Sequence, residues 1–377
     1  MFYDKITSYF VGFWNRALNF KNLCFFEKFI FLILCFLEVL YKLAFLVIIF
    51  FKKKTRKANF NFKVVSVGNL SVGGTGKSVF VQFLVNHLNN LNSAIVLRGY
   101  QSQCSKTSKS FLVSDGKNIF CDHSFCGDEA FMMAESLGVF VVVGKKRFKS
   151  CQILNDIVPK IDFAVFDDSY QNFSVKKDFE ILLLDARRPL ENGHCLPAGR
   201  LREKDYSRTD TIILTHADLV NESFLKFIKD NILHDFDSRK IFCGKHKIQG
   251  LFLSNSKLVN TAEIKIKKFL VFAGIGSFDS FLKSLETLNI NICDTIQYKD
   301  HFDYKKNDID FIFDKIKKKN LDGAVTTQKD WVKLKKFLHN NNNKMLEKIY
   351  VLKIGFEFLT KEEERFFFNN IFWEKLS

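Results

Sequence analysis

The chain has 377 residues, of which 47% are hydrophobic and 26% are charged, and its formal net charge is +16. The length predicts two domains, and the composition excludes a wholly disordered, collagen-like or coiled-coil chain. A basic excess of this kind is typical of proteins that bind nucleic acid, anionic lipid or a phosphorylated substrate. The nine cysteines form no C-x-x-C pair, which favours reduced thiols in a cytosolic body.

The first predicted element is an apolar helix over Phe29–Phe51, followed directly by the basic run Lys52–Lys57. Its 23 residues are enough to span a bilayer core of roughly 30 Å. Glu38 and Lys42 interrupt it at a spacing that lets them pair on one helix face. A single span, a helix in the membrane interface and a buried soluble helix all fit this pattern. We favour membrane attachment because the basic run would bind anionic headgroups on the cytoplasmic side.

A phosphate-binding loop is predicted next, between a short strand at Lys63–Val67 and a helix at Val79–Leu91. Strand, glycine-rich turn and helix is the context of a Walker A loop, in which backbone N–H groups converge on phosphate oxygens. The lysine of such a loop contacts the β- and γ-phosphates, and the hydroxyl after it ligates Mg²⁺. The first position is serine where the strict pattern has glycine. The predicted nucleotide-binding residues are Ser71, Val72, Gly73, Gly74, Thr75, Gly76, Lys77 and Ser78.

A metal-binding acidic pair is predicted at Asp167 and Asp168, which follow the apolar strand Ile161–Phe166. A strand that ends in carboxylates beside a phosphate loop is typical of a Walker B element, which holds Mg²⁺. Further strands alternate with helical segments, and this order predicts a mostly parallel α/β sheet. These strands are predicted at Ala94–Leu97, Phe140–Val143, Ile181–Leu184 and Thr211–Leu214.

The nucleotide is predicted to be ATP rather than GTP. The base-reading motif of GTPases, Asn/Thr-Lys-x-Asp, is approached by Thr215-His216-Ala217-Asp218, but the lysine is missing. The D-x-x-G switch also fails, because position 170 is tyrosine.

A series of ordered blocks resembles one family, the tetraacyldisaccharide 4′-kinases of lipid A synthesis. Besides the phosphate loop, these blocks are Leu97-Arg98-Gly99-Tyr100, Gly127-Asp128-Glu129, Asp167-Asp168-Ser169-Tyr170-Gln171-Asn172, Glu191–Glu203, Ala273–Gly276, Asp300-His301-Phe302 and Thr326–Asp330. The Glu191–Glu203 block, ENGHCLPAGRLRE, is nearly intact, whereas Gln101, Ser169 and Asn172 replace residues of the family pattern.

The resemblance implies an enzyme that transfers the γ-phosphate of ATP, with Mg²⁺, to the 4′-hydroxyl of a tetraacyl-glucosamine disaccharide 1-phosphate. It implies that Asp128 accepts the proton of that hydroxyl, that His301 tunes or relays it, and that Lys77 is catalytic. It also implies a bacterial inner-membrane enzyme on the cytoplasmic face, with an acylated disaccharide phosphate and the membrane surface as partners, and no nucleic acid or obligate protein partner. The implied substrate-binding residues are Arg98, Tyr100, Glu129, Gln171, Asn192, Arg200 and Arg202.

The expected architecture is a P-loop NTPase-like parallel sheet domain with a second, smaller α/β domain and an N-terminal membrane-associated helix. The expected boundaries are 1–57 for the helix and its basic flank, 58–215 for the kinase domain and 216–377 for the C-terminal domain. A membrane-attached P-loop ATPase or GTPase that acts as a regulator or transport partner is the alternative function.

Overall fold

The structure, a computed structural model, describes residues 24–54, 59–88, 91–100, 102–157, 160–253, 257–337 and 348–376. Residues 55–57, the second half of the predicted basic run, and Gln101 lie outside these residues. The chain forms two compact units, each built from separate stretches of sequence. The first unit comprises Met1–Lys77, Asn155–Lys245 and Glu357–Ser377, and the second comprises Ser78–Leu154 and His246–Phe356. The domain boundaries expected at 57/58 and 215/216 stay a prediction.

The elements of the described residues alternate between strands and helices along most of the chain. The strands are β1 Lys63–Asn69, β2 Ser93–Leu97, β3 Ser110–Asp115, β4 Phe140–Gly144, β5 Phe163–Asp167, β6 Phe179–Asp185, β7 Thr211–Thr215, β8 Ile241–Leu253, β9 Lys268–Ala273, β10 Asn291–Gln297, β11 Gly323–Thr327 and β12 Ile349–Phe358. The α-helices are α1 Phe25–Lys54, α2 Lys77–His87, α3 His123–Cys126, α4 Asp128–Leu137, α5 Arg147–Asn155, α6 Glu222–Phe227, α7 Thr261–Lys265, α8 Phe278–Thr287, α9 Lys306–Lys318, α10 Gln328–Leu334, α11 Lys361–Phe366 and α12 Trp373–Leu376. Short 3₁₀ or π segments lie at Cys104–Lys106, Ala217–Leu219, Ile228–Ile232, Ser238–Lys240, Lys335–Phe337 and Phe367–Phe372.

The first unit contains a parallel sheet in the order β8-β7-β6-β1-β5. Strands β1, β5, β6 and β7 were predicted from their apolar runs, and the structure confirms all four. These strands are buried almost throughout, as expected for parallel strands covered on both faces. Leu70, Tyr170, Leu184 and Leu214 pack in the core of this unit, near the carboxyl ends of the strands.

The second unit contains the parallel strands β10-β9-β11-β12 and a group in which β4 pairs in parallel with β2 and antiparallel with β3. Leu270, Ile312, Trp331 and Val351 belong to one of its apolar clusters. The strand pairs of both units confirm the predicted α/β class with mostly parallel strands.

Helix α1 confirms the first predicted element and extends it at both ends. Its segment Phe25–Phe51 is long and apolar enough to cross a membrane, and only 11% of its most apolar window is buried. A core helix of a soluble protein would be mostly buried, so the buried-helix interpretation does not fit. The exposed side chains of α1 include Phe29, Phe36, Leu46 and Phe51.

One face of α1 contacts the rest of the first unit through polar groups. Glu38 is only 3% exposed and forms the predicted ion pair with Lys42. Glu38 Oε2 lies 2.7 Å from His194 Nδ1, and the backbone N–H of Cys195 donates to Oε1, the oxygen that pairs with Lys42, at 2.9 Å. These partners explain why a carboxylate is tolerated within an apolar helix, since a buried charge must be paired and hydrogen-bonded.

Candidate active site

The phosphate loop lies between the carboxyl end of β1 and the start of α2, as the sequence predicts. Gly73 and Gly76 have φ values of 129° and 79°, which side-chain-bearing residues rarely adopt. Helix α2 begins at Lys77, so its N-terminal N–H groups and the positive end of its dipole belong to the loop. Ser78, the expected Mg²⁺ ligand, is the second residue of this helix.

The segment that ends the Glu191–Glu203 block pairs with the start of the phosphate loop. The N–H of Val72 donates to the carbonyl of Arg200 at 2.8 Å, and the N–H of Arg202 donates to the carbonyl of Leu70 at 2.6 Å. An isolated antiparallel bridge joins Ser71 to Leu201. The block therefore fixes the backbone of the loop.

Two side chains contact the loop further along. A β-carbon on Gly73 would lie 2.5 Å from Arg200 Nη2, so the guanidinium of Arg200 lies directly against this glycine. The hydroxyl of Thr215, at the end of β7, donates to the carbonyl of Thr75 at 3.2 Å. A guanidinium at the loop is placed to meet an anionic ligand.

The acidic pair lies at the same edge of the sheet as the loop, because Val67 of β1 pairs with Asp167 of β5. Asp168 has a φ of 48°, a left-handed conformation that aspartate tolerates better than most residues. Lys77 Nζ lies 3.6 Å from Asp168 Oδ1. Arg202 binds both oxygens of Asp168, at 3.0 and 3.3 Å.

A partly buried polar network continues from Arg202. Gln171 accepts from Arg202 at 3.1 Å and donates to Glu203 at 2.9 Å and to the carbonyl of Asn69 at 3.0 Å. Arg208 donates to the same oxygen of Glu203 at 2.7 Å. This network determines the orientation of Arg202 and, through it, of Asp168.

The second unit brings together Asp128 and His301, which are 173 residues apart in the sequence. Asp128 is the first residue of α4, and its Oδ2 lies 3.3 Å from His301 Nδ1. Burial raises the pKa of Asp128, but the His301 hydrogen bond and the ammonium of Lys333 outweigh it and lower that pKa below its ordinary value. The hydrogen bond to Asp128 raises the pKa of His301 against the opposing effect of burial. The pair thus favours a carboxylate beside an imidazolium.

Comparison with known proteins identifies the family of the chain. A profile described as Tetraacyldisaccharide-1-P 4'-kinase (LpxK) matches residues 30–371. The chain belongs to this family.

Relatives and a solved structure agree with that membership. The chain is 30% identical to the tetraacyldisaccharide 4'-kinase of Halothermothrix orenii over 355 residues, which is 89% of this chain and 90% of the relative. It is 34% identical to the enzyme of the same name from Chlorobaculum parvum over 282 residues, or 72% and 74% of the two chains. It also resembles the crystal structure of the "apo" form of LpxK from Aquifex aeolicus in complex with ATP. The TM-score there is 0.69 at 25% identity, covering 89% of this chain and 97% of the other.

The substrate residues expected from the 4'-kinase family fall into three groups. Gln171, Arg200 and Arg202 lie around the phosphate loop and Asp168. The exposed Tyr100 has its ring centroid 6.3 Å from that of His301. The other three are Arg98, which is exposed, Glu129, which pairs with Lys329, and Asn192, whose amide donates to the carbonyl of Ala198. Asn192 therefore shapes the turn of its block, while its assignment to substrate stays a prediction.

A replaced glycine of the 4'-kinase pattern is accommodated without strain. Ser169 is buried, and its hydroxyl lies 3.2 Å from the hydroxyl of Ser66. The positive φ of this turn belongs to Asp168 and not to Ser169, so a β-carbon at position 169 meets no conformational penalty. Asn172 uses its side chain to accept from the backbone of Ser174 at 3.1 Å.

Sequence reasoning missed two charged residues of this site. Glu203, the last residue of the Glu191–Glu203 block, accepts hydrogen bonds from both Gln171 and Arg208. Lys333 lies one helical turn after the Thr326–Asp330 block and contacts Asp128. The signal for Lys333 was its spacing of three from Asp330, which allows a pair on one helix face.

Proposed function

We propose that this protein transfers the γ-phosphate of ATP to the 4'-hydroxyl of a tetraacyl-glucosamine disaccharide 1-phosphate, a step of lipid A biosynthesis. The observation that carries the proposal is the Asp128–His301 hydrogen bond in a chain whose other unit holds a phosphate loop. An enzyme that phosphorylates an alcohol benefits from a group that accepts the proton of the attacking hydroxyl. Family membership favours the kinase over the regulator.

In this proposal the loop Ser71–Gly76 binds the phosphates of ATP through its backbone N–H groups. Lys77 turns from Asp168 to the β- and γ-phosphates when nucleotide binds. Ser78, Asp167 and Asp168 would hold Mg²⁺, since hydroxyl and carboxylate oxygens are the hard ligands this ion prefers. The ion would neutralise charge on the phosphate oxygens.

Asp128 and His301, the dyad, act on the acceptor hydroxyl of the lipid. Asp128 accepts the proton of the 4'-hydroxyl as the oxygen attacks phosphorus, and ADP leaves with the electrons of the broken bond. His301 holds Asp128 in place through Nδ1 and shares the proton. Tyr100 and Arg98 are assigned to the disaccharide, and Arg200 to a phosphate group.

We propose that α1 lies in the interface of the bacterial inner membrane, on its cytoplasmic face. Between Phe31 and Tyr41 the helix contacts Ala198, His194 and the carbonyl of Arg202 in the rest of the first unit. The middle of the helix therefore lies along the protein body. A helix that crosses the bilayer would instead point away from the protein body. The exposed apolar side chains of α1 suit the boundary between lipid headgroups and acyl chains.

Membrane extraction tests this placement. We expect the protein to stay with membranes in low-salt buffer and to be released by alkaline carbonate or high salt, because interfacial binding depends partly on basic residues. A protein that stays in the pellet after carbonate has a spanning helix. Release by buffer alone would contradict membrane attachment.

A radiolabel assay tests the activity itself. With [γ-³²P]ATP and vesicles that contain the acylated disaccharide 1-phosphate, label is expected in the lipid. The same lipid already phosphorylated at the 4'-position is the matched control and should take up none. Release of inorganic phosphate alone would support the regulator and overturn the kinase.

A further inference from the structure

Lys333 is a buried ammonium beside Asp128, the carboxylate of the dyad. Its side chain is only 2% exposed, and it lies on α10. Its Nζ donates to the carbonyl of Phe302 at 3.0 Å and lies 3.2 Å from Asp330 Oδ1 and 3.4 Å from Asp128 Oδ2. The ammonium thus donates a hydrogen bond to one carbonyl and lies at ion-pair distance from two carboxylate oxygens.

The partners of Lys333 are themselves held. Asp330 is fully buried, and its Oδ2 accepts from the backbone of Gly274 at 3.1 Å and from the hydroxyl of Thr327 at 2.7 Å. His301, the residue before Phe302, has a left-handed φ of 57° and donates its N–H to the carbonyl of Gly274 at 3.1 Å. Lys333 therefore joins the loop that carries His301 to the helix that begins with Asp128.

The charged and titratable groups around Asp128 come from three elements. His301 faces it from the loop after β10, Lys333 from α10 with Asp330 behind it, and His123 from α3. The neighbouring pairs between α4 and the α10 region, Glu129–Lys329 and Glu135–Lys335, involve half-exposed side chains.

We propose that Lys333 is a positioning residue of the phosphate transfer, which keeps Asp128 ionised and fixes its oxygen Oδ2 against His301. This inference rests on the proposed function, in which Asp128 accepts the proton. A cation at this distance favours the charged carboxylate, and its loss leaves Asp128 and Asp330 without the ammonium that they share. The dyad then binds its proton more tightly and accepts the substrate proton less readily.

The test compares Lys333→Met with Lys335→Met in the lipid-transfer assay over a range of pH. We expect kcat to fall about 10- to 100-fold in Lys333→Met, with the loss at least tenfold larger at pH 6 than at pH 8 and with KM for ATP unchanged. Lys335→Met removes the same charge from the next turn and should keep both rate and pH profile. Lys333→Arg retains the charge without the geometry, so its kcat should fall while its pH profile stays.

A second variant covers a failure of Lys333→Met to fold. The double variant Lys333→Met/Asp330→Asn removes the ammonium together with the charge of Asp330, its neighbour on α10. It should show the same change of pH profile as Lys333→Met. NMR titration of His301 gives a readout without catalysis, and its midpoint should rise when the cation is removed. Wild-type pH profile and His301 titration in the double variant would overturn the inference, even where the wild-type protein is an active kinase. A wild-type protein that labels no lipid overturns the proposed function instead, and the His301 titration still decides the role of Lys333.

Discussion

We expect Lys77→Ala to lose lipid phosphorylation by about 10²- to 10³-fold, because positioning and charge neutralisation carry most of the catalysis of phosphoryl transfer. Lys77 begins α2 and lies 3.6 Å from Asp168. Arg202 still binds both oxygens of Asp168 when Lys77 is removed, so the variant should fold. Label transfer at saturating lipid, with the thermal midpoint as a folding check, measures this.

Lys226→Ala is the matched control, since it removes an exposed lysine from the same unit. Its activity should equal that of the unaltered protein. Near-normal turnover in Lys77→Ala would contradict the assignment of the phosphate loop.

The second large effect concerns the dyad. Asp128→Asn and His301→Ala should each slow transfer by roughly 10²- to 10⁴-fold, and the double variant should be about as slow as the worse single variant. Residues that act as one unit lose their function together, so the second loss adds little. ATP affinity should barely change, because neither residue belongs to the phosphate loop. Glu135→Gln, on the same helix as Asp128, is the control.

The pH dependence of the dyad follows from its pKa shifts. Because the pKa of His301 is raised, the pair keeps a proton to higher pH than free imidazole does. The rate should therefore rise with pH, with a midpoint above the ordinary imidazole value of about 6.5 that belongs to the pair as a whole. Penalties that multiply in the double variant, or a flat profile below neutral pH, would contradict a coupled dyad.

Features that depend on neighbouring residues could be predicted from the sequence. The strand, glycine turn and helix around Lys77 lie within a few dozen residues, and each has its own local pattern. The buried strands were recognised as apolar runs, and their observed ends differ by only a few residues. The pairing of Glu38 with Lys42 followed from helical spacing alone. The order of motif blocks was specific enough to indicate the family.

The tertiary structure decided which distant residues meet. Nothing in local periodicity places His301 beside Asp128, or Arg200 over Gly73, because such contacts depend on how strands and loops pack. The same holds for Glu38, whose partner His194 is 156 residues away. The spacing of Lys333 from Asp330 is a weak signal in a chain with many lysines, and only the folded structure shows that Lys333 is buried beside two carboxylates. Burial strengthens the interactions between these charges because it lowers the local dielectric constant. The burial and the long-range pairs exist only in the folded chain.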